Sequence, residues 1–271
     1  MTRHLALLTE YDGSAFNGWQ AQARGRTVQQ TLVAALEKIT GECGIVLYGS
    51  SRTDSGVHAR GHVSHFRSET RIPADKLPLA MNSLLPPDIS VLSACDTDAD
   101  FHAQYHAQGK IYTYQIWNHA IRPAIDRFRC SHVPGPLDLD ALAVAIPCLV
   151  GKHDFSAFTD TGSCERNPVR TLFSLKLNVA GPRISLQFHG DGFLYHMIRI
   201  LAGTLLAVAQ GKINGEDLPD LIVAGDRKRV GKTMPPQGLC LERVIYDPPL
   251  FDDYYQMTAL KGERDAESKL E

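Results

Sequence analysis

Alternating apolar and polar positions divide the chain into short elements. Residues 5–11, Leu-Ala-Leu-Leu-Thr-Glu-Tyr, read as a buried strand, and Asp12-Gly13-Ser14 stops it with turn chemistry. Thr27 is placed to cap a helix, because Val28, Thr31, Leu32, Ala35, Leu36 and Ile39 follow at helical spacing. Residues 44–48 and 61–66 predict two more strands around a polar loop at 50–56. A shorter helix over 74–85, with Pro78 near its start, ends before Pro86-Pro87, and residues 89–94 form a fourth strand.

After an irregular stretch the order returns. A strand at 110–117 and a helix at 138–149 precede strands at 169–179 and 183–189. Helices at 197–210 and 216–224 follow, and a strand at 239–246 closes the series. Both halves therefore read strand, helix, strand, strand, helix, strand, without a residue-level repeat between them. That order predicts an α+β pair of related domains: residues 1–100 carrying the polar loop, residues 101–248, and a tail at 249–271. Helices covering one face of an antiparallel sheet leave the opposite faces and the seam between domains free to form a groove.

Charge refines this picture. The formal net charge is −2, which argues against gripping nucleic acid by bulk charge, but residues 247–271 hold seven acids against three bases. The remaining body is mildly basic, at +2. The last dozen residues are expected to be mobile, with Phe251, Tyr254 and Tyr255 available to dock the part before them. Six cysteines, at 43, 95, 130, 148, 164 and 240, form no C-x-x-C pattern, which fits reduced thiols in the cytoplasm. No signal-type or membrane-length apolar run is found, so no membrane association is expected.

The loop Ser50-Ser51-Arg52-Thr53-Asp54-Ser55-Gly56-Val57-His58 sits between two apolar strands, where functional groups are often mounted. Asp two residues before Gly is ordinarily a turn residue. Two features favour more here. Arg52 shares a side of an extended chain with Asp54, so its guanidinium can reach the carboxylate or its substrate. Arg199 is the single formal charge between Asp191 and Lys212, flanked by Met197, Ile198, Ile200 and Leu201. A cation in such company either snorkels to the surface or finds an anion. Asp54, from the other half, is the candidate anion. A desolvated, Arg-supported carboxylate could act as a nucleophile towards a sugar or base carbon, and no second carboxylate of the glycosidase kind is evident.

These residues resemble the A-type tRNA pseudouridine synthases. The resemblance is carried by Tyr11-Asp12-Gly13-Ser14-Ala15-Phe16-Asn17-Gly18-Trp19-Gln20, Arg52-Thr53-Asp54-Ser55-Gly56-Val57-His58-Ala59 and Phe101-His102-Ala103. Lys110-Ile111-Tyr112-Thr113-Tyr114, Gly151-Lys152-His153-Asp154-Phe155-Ser156-Ala157-Phe158, Gly192-Phe193-Leu194-Tyr195-His196-Met197-Ile198-Arg199 and Pro236-Gln237-Gly238-Leu239 continue it in order. It implies an α+β fold of two ferredoxin-like α/β sandwich domains, whose mainly antiparallel sheets form one continuous central sheet with an active-site cleft between them. It also implies a homodimer without cofactor or metal, acting on uridines 38, 39 and 40 of the tRNA anticodon stem-loop.

By the same resemblance Asp54 is the catalytic aspartate, Arg52 the arginine that assists base flipping, Tyr112 the active-site tyrosine, and Arg199 the arginine paired with the aspartate. Tyr112, Arg52, His58 and Arg24 are the expected substrate contacts. The chain departs from the family pattern at Ser51, Ser55, His62, Gln104 and Ile200, which replace glycine, alanine, glutamine, a basic residue and asparagine. Gln104 and Ile200 bear on RNA contacts. Asp54 could add to C1′, add to C6 or abstract the 2′ proton; the sequence does not choose.

RNA binding is expected from local patches: Arg24 and Arg26; Arg122, Arg127 and Arg129; Arg227-Lys228-Arg229 with Lys232. Two other readings compete. One is a non-catalytic RNA-binding module on the same fold, which leaves the Arg52, Asp54, Tyr112 and Arg199 set unexplained. The other is a metal site at His58 and His62 or at His102 and His106, each pair four apart, although His58 lies in a loop running into a strand.

Overall fold

A computed structural model describes residues 2–160 and 167–258. Cys164 and the last part of the tail, residues 259–271, lie outside the described residues.

The N-terminal half contains β1 (Arg3–Tyr11), α1 (Val28–Thr40), β2 (Tyr48–Gly49), β3 (His58–Ser68), α2 (Leu77–Asn82) and β4 (Ile89–Asp96). The C-terminal half contains β5 (Gly109–Trp117), β6 (Ser131–His132), α3 (Leu139–Ala145), β7 (Gly151–Asp154), β8 (Val169–Ala180), β9 (Arg183–Gly190), α4 (Met197–Ala209), α5 (Leu218–Ala224) and β10 (Leu239–Ile245). Among the described residues one sheet runs β4-β1-β3-β10-β5-β9-β8-β7, with β2 on β3 and β6 on β5. Its pairs are antiparallel except β10 with β3 and β5 with β6.

The last strand thus joins the halves. Register sets Leu241 opposite both Ala59 of β3 and Tyr112 of β5, so the chain just after the Asp54 loop and the middle of β5 become near neighbours. No local signal could bring residues 54 and 112 together; the long-range pairing of β10 does.

Helix α1 begins as its residues dictate: the Thr27 side chain accepts from the Gln30 backbone N–H, and Gly41 ends the helix in the left-handed region at φ 74°. Elsewhere the boundaries move. The strand expected at 44–48 is reduced to Tyr48–Gly49, because the Glu37 carboxylate captures the N–H groups of Gly44 and Ile45 at 2.6 and 3.2 Å. Ile45 and Leu47 are buried and Val46 exposed, so the segment has a strand's alternation without its ladder.

The helix expected over 74–85 is a 3-10 turn followed by α2, and Asn82 leaves it to bond both backbone groups of Val91. Pro147 similarly turns the end of the 138–149 helix into 3-10 geometry. Strand β7 was not foreseen; its Gly-Lys-His-Asp sequence lies at the sheet edge with no apolar alternation. Residues 252–258, assigned to the tail, begin as a helix held to β10. Phe251 is buried there, Arg243 pairs with Asp252 at 2.8 Å, and the same guanidinium lies 4.1 Å over the Tyr255 ring.

Candidate active site

The loop that carries Asp54 rests on the Tyr11–Trp19 string. Trp19 N donates to Thr53 O at 3.0 Å, the Tyr11 hydroxyl and Thr53 Oγ1 lie 2.8 Å apart, and Gly56 N donates to Phe16 O at 3.3 Å. Two glycines make this contact possible. A methyl group on Gly13 would sit 2.0 Å from Val57 O, and one on Gly18, whose φ is +87°, would sit 2.7 Å from Thr53 O. The conspicuous Tyr-Asp-Gly string is therefore a backbone seat for the loop.

Behind the loop, His62 stacks on Trp19 with ring centroids 3.7 Å apart and bonds Ser51 O through Nε2 at 2.9 Å. Burial pushes its pKa down to about 3 from 6.5, so the folded protein holds a neutral ring. The unfolded chain binds that proton at ordinary acidity, so stability from this group is complete above pH 6.5 and declines as pH falls towards 3. The cost at pH 5 is about 2 kcal/mol. His62→Gln keeps an amide donor for Ser51 O and cannot titrate. Denaturant melts at pH 7 and pH 5 are expected to show about 2 kcal/mol less acid loss for this variant. Equal losses in both proteins would refute the assignment.

Asp54 meets the C-terminal half at α4. Arg199 Nη1 donates to Asp54 Oδ2 at 3.0 Å and Arg199 Nε to Met234 O at 2.7 Å. Their side chains retain only 12% and 19% exposure, which makes this a largely desolvated ion pair. The 231–234 segment lies close to α4, and it can do so because residue 203 is glycine; a methyl there would sit 1.9 Å from Lys232 O.

The pair opens into a cleft of about 490 Å³ lined by Ser51, Arg52, Gln104, Tyr105, Lys110, Tyr112 and residues 193–198. Tyr112 is buried edge-on to Phe193 at 5.4 Å. Burial, reinforced by the Asp54 charge, holds its phenol far above the ordinary value. At neutral pH its hydroxyl therefore keeps its proton.

Arg52 lies on the cleft with an exposed side chain, and among the described residues no ion pair joins it to Asp54. The expected support from Arg52 is supplied instead by Arg199. His58 and Arg24 are not brought to this cleft. His58 Nδ1 accepts from Gly13 N at 3.1 Å, and the ring borders a separate cavity of about 210 Å³ with Asp12, Arg129 and Cys240. Arg24 lies exposed on the loop before α1. Gln104 does reach the cleft, whereas Ile200 is fully buried within α4 and touches no solvent.

The basic patches also divide. Arg26 is held by Asp88 at 2.6 Å and Arg227 by Asp160 at 2.8 Å, while Arg24, Arg122, Arg127, Arg129, Lys228, Arg229 and Lys232 are exposed. Among the described residues no three His, Cys, Asp or Glu side chains cluster as metal ligands.

Three cleft features escaped the sequence reading. His196 Nε2 lies 3.4 Å from Asp54 Oδ2, and its Nδ1 lies 2.7 Å from Asp160 Oδ2. Burial opposes ionisation of Asp160, but hydrogen bonds from His196, Thr233 and Arg227 prevail and hold its carboxyl at about 2. Lys110 lies two residues before Tyr112, and burial, with the nearby Arg170 charge, lowers it to about 8. His196 stands in one of the motif strings that carry the resemblance, but nothing along the chain points to its partner, which lies 36 positions away.

Comparison places this geometry in a known class. The sequence model described as "tRNA pseudouridine synthase" matches residues 7–106 and 145–247. The α+β sheet with its Asp–Arg cleft is a pseudouridine synthase fold. Similar proteins include tRNA pseudouridine synthase A 2 of Clostridium perfringens (strain 13 / Type A), 42% identical over 90% of this chain and 100% of the relative. Another is tRNA pseudouridine synthase A of Thermoanaerobacter sp. (strain X514), 43% identical over the same shares. Among solved structures, that of a Cbf5-Nop10-Gar1 complex is 11% identical with a TM-score of 0.40, covering 88% of this chain and 48% of that one. The chain belongs to the tRNA pseudouridine synthase family and is an isomerase.

Proposed function

We propose that this protein converts uridine to pseudouridine at positions 38, 39 and 40 of the tRNA anticodon stem-loop, as a cytoplasmic homodimer, with Asp54 as nucleophile or base. The observation that carries the reading is the largely desolvated Asp54–Arg199 pair at 3.0 Å, facing a cleft that also holds Tyr112. The reaction breaks N1–C1′, rotates the uracil and joins C5 to C1′, so C5 loses a proton and N1 gains one without change in oxidation level.

A base inside a helical stem cannot be reached in place and must leave its stack. The cleft suits such a base: Tyr112 and Phe193 provide apolar and aromatic surface, and Arg52 stands exposed at the margin, where it can fill the vacated stack or hold phosphate. Arg199 holds Asp54 oriented through the 3.0 Å contact. The exposed arginines and lysines extend the contact along the RNA backbone.

Mapping pseudouridine in tRNA from cells lacking the protein tests the reading. Selective loss at positions 38 to 40, restored by the wild-type gene, is expected. An unchanged map, together with no C5-tritium release by purified protein from labelled tRNA, would overturn it.

A further inference from the structure

Asp54 Oδ2 has two neighbours: Arg199 Nη1 at 3.0 Å and His196 Nε2 at 3.4 Å. Among the described residues no group hydrogen-bonds Oδ1. His196 in turn stands between two carboxylates. Its Nδ1 faces Asp160 Oδ2 at 2.7 Å, and Asp160 is fixed from behind by Arg227 Nε and the Thr233 hydroxyl, each at 2.8 Å. The ring therefore presents its Nε2 edge to Asp54 while its Nδ1 edge is held by Asp160.

The backbone agrees that this ring is held for a purpose. His196 has φ 60° and ψ 2°, one of two non-glycine residues with positive φ among the described residues. Such a conformation is sparsely populated by residues other than glycine and persists where the surroundings enforce it. Here it places the ring at the start of α4, one helical turn before Arg199 and stacked on Tyr195 at 3.7 Å.

We propose that His196, held by Asp160, is a positioning residue for Asp54: its braced ring flanks Oδ2 beside Arg199, fixes the carboxylate plane and leaves Oδ1 to meet the nucleotide. The inference rests on the uridine-isomerase reading of the cleft. The charged groups around the ring are Asp54 from the loop, Asp160 from the stretch after β7, Arg199 from α4, and Arg227 beyond Asp160.

The test is single-turnover tritium release and tRNA affinity at neutral pH for wild type, His196→Asn, His196→Gln and Asp160→Asn. Asparagine tolerates the left-handed backbone but removes the ring, and is expected to lower the rate roughly 10²-fold with tRNA affinity within about threefold. Glutamine supplies a longer amide that can reach Asp54 and should retain more activity than asparagine, whereas Asp160→Asn, which loosens the ring, should lower the rate with tRNA affinity likewise within about threefold.

Circular dichroism checks that each variant folds. Variants within about threefold of wild type in rate, or losses of rate matched by losses of tRNA affinity, would overturn the positioning role. An inactive wild type would overturn the isomerase reading and this inference together, while fully active variants overturn the inference alone.

Discussion

Asp54→Asn is expected to reduce C5-tritium release to background while tRNA binding stays within about threefold of wild type. The amide is nearly isosteric, and its oxygen can still accept from Arg199, so the seat formed by Tyr11, Thr53 and Trp19 is preserved. What disappears is the negative charge, which each of the three first steps open to the aspartate requires. Filter binding and tritium release on the same preparation separate the two effects. Turnover within tenfold of wild type would remove Asp54 from the chemistry.

Arg199→Met carries the second large effect, on rate and on stability. It leaves Asp54 in a largely desolvated setting without its guanidinium, so a destabilisation of about 3 kcal/mol is expected, together with roughly a 10²-fold lower rate as the carboxylate loses its orientation. The loss should not add to that of Asp54→Asn. In the double variant Asp54→Asn/Arg199→Met no buried charge is stranded, and denaturant melts should recover much of the lost stability. Additive losses would mean that the 3.0 Å contact contributes no coupling in solution.

The sequence made the pair legible for a specific reason. Arg199 is the single formal charge in a long apolar stretch, and burying a cation without an anion is costly, so either a route to the surface or an anionic partner follows from composition, with Asp54 the candidate. The fold decides between the two by bringing the side chains to 3.0 Å. Arg52 illustrates the opposite outcome: two-residue spacing suggested contact with Asp54, but the segment turns, with Val57 N bonding Asp54 O, and the alternation of an extended chain does not apply.

His58 belongs to a motif string without belonging to the cleft, since β3 begins there and its ring bonds the Gly13 backbone. Asp160 carries no signal along the chain, and His196, although inside a motif string, has no role assigned from the sequence, because only their mutual distance is informative. Among the secondary elements, long periodic segments such as α1 and α4 were readable to within a residue or two. Polar β7 and the Glu37-captured segment before β2 were not, because hydrogen-bond destinations rather than hydrophobicity decide them.

The place of β10 in the sheet has a consequence for biogenesis. During translation the facing edges of β3 and β5 stay unsealed until residues 239–245 leave the ribosomal tunnel, since the strand between them is made last. A nascent polypeptide stalled before that point possesses Asp54 and Arg199 but lacks the plank that unites their two supports. Premature termination there should yield aggregation-prone fragments devoid of turnover, rather than a slow enzyme.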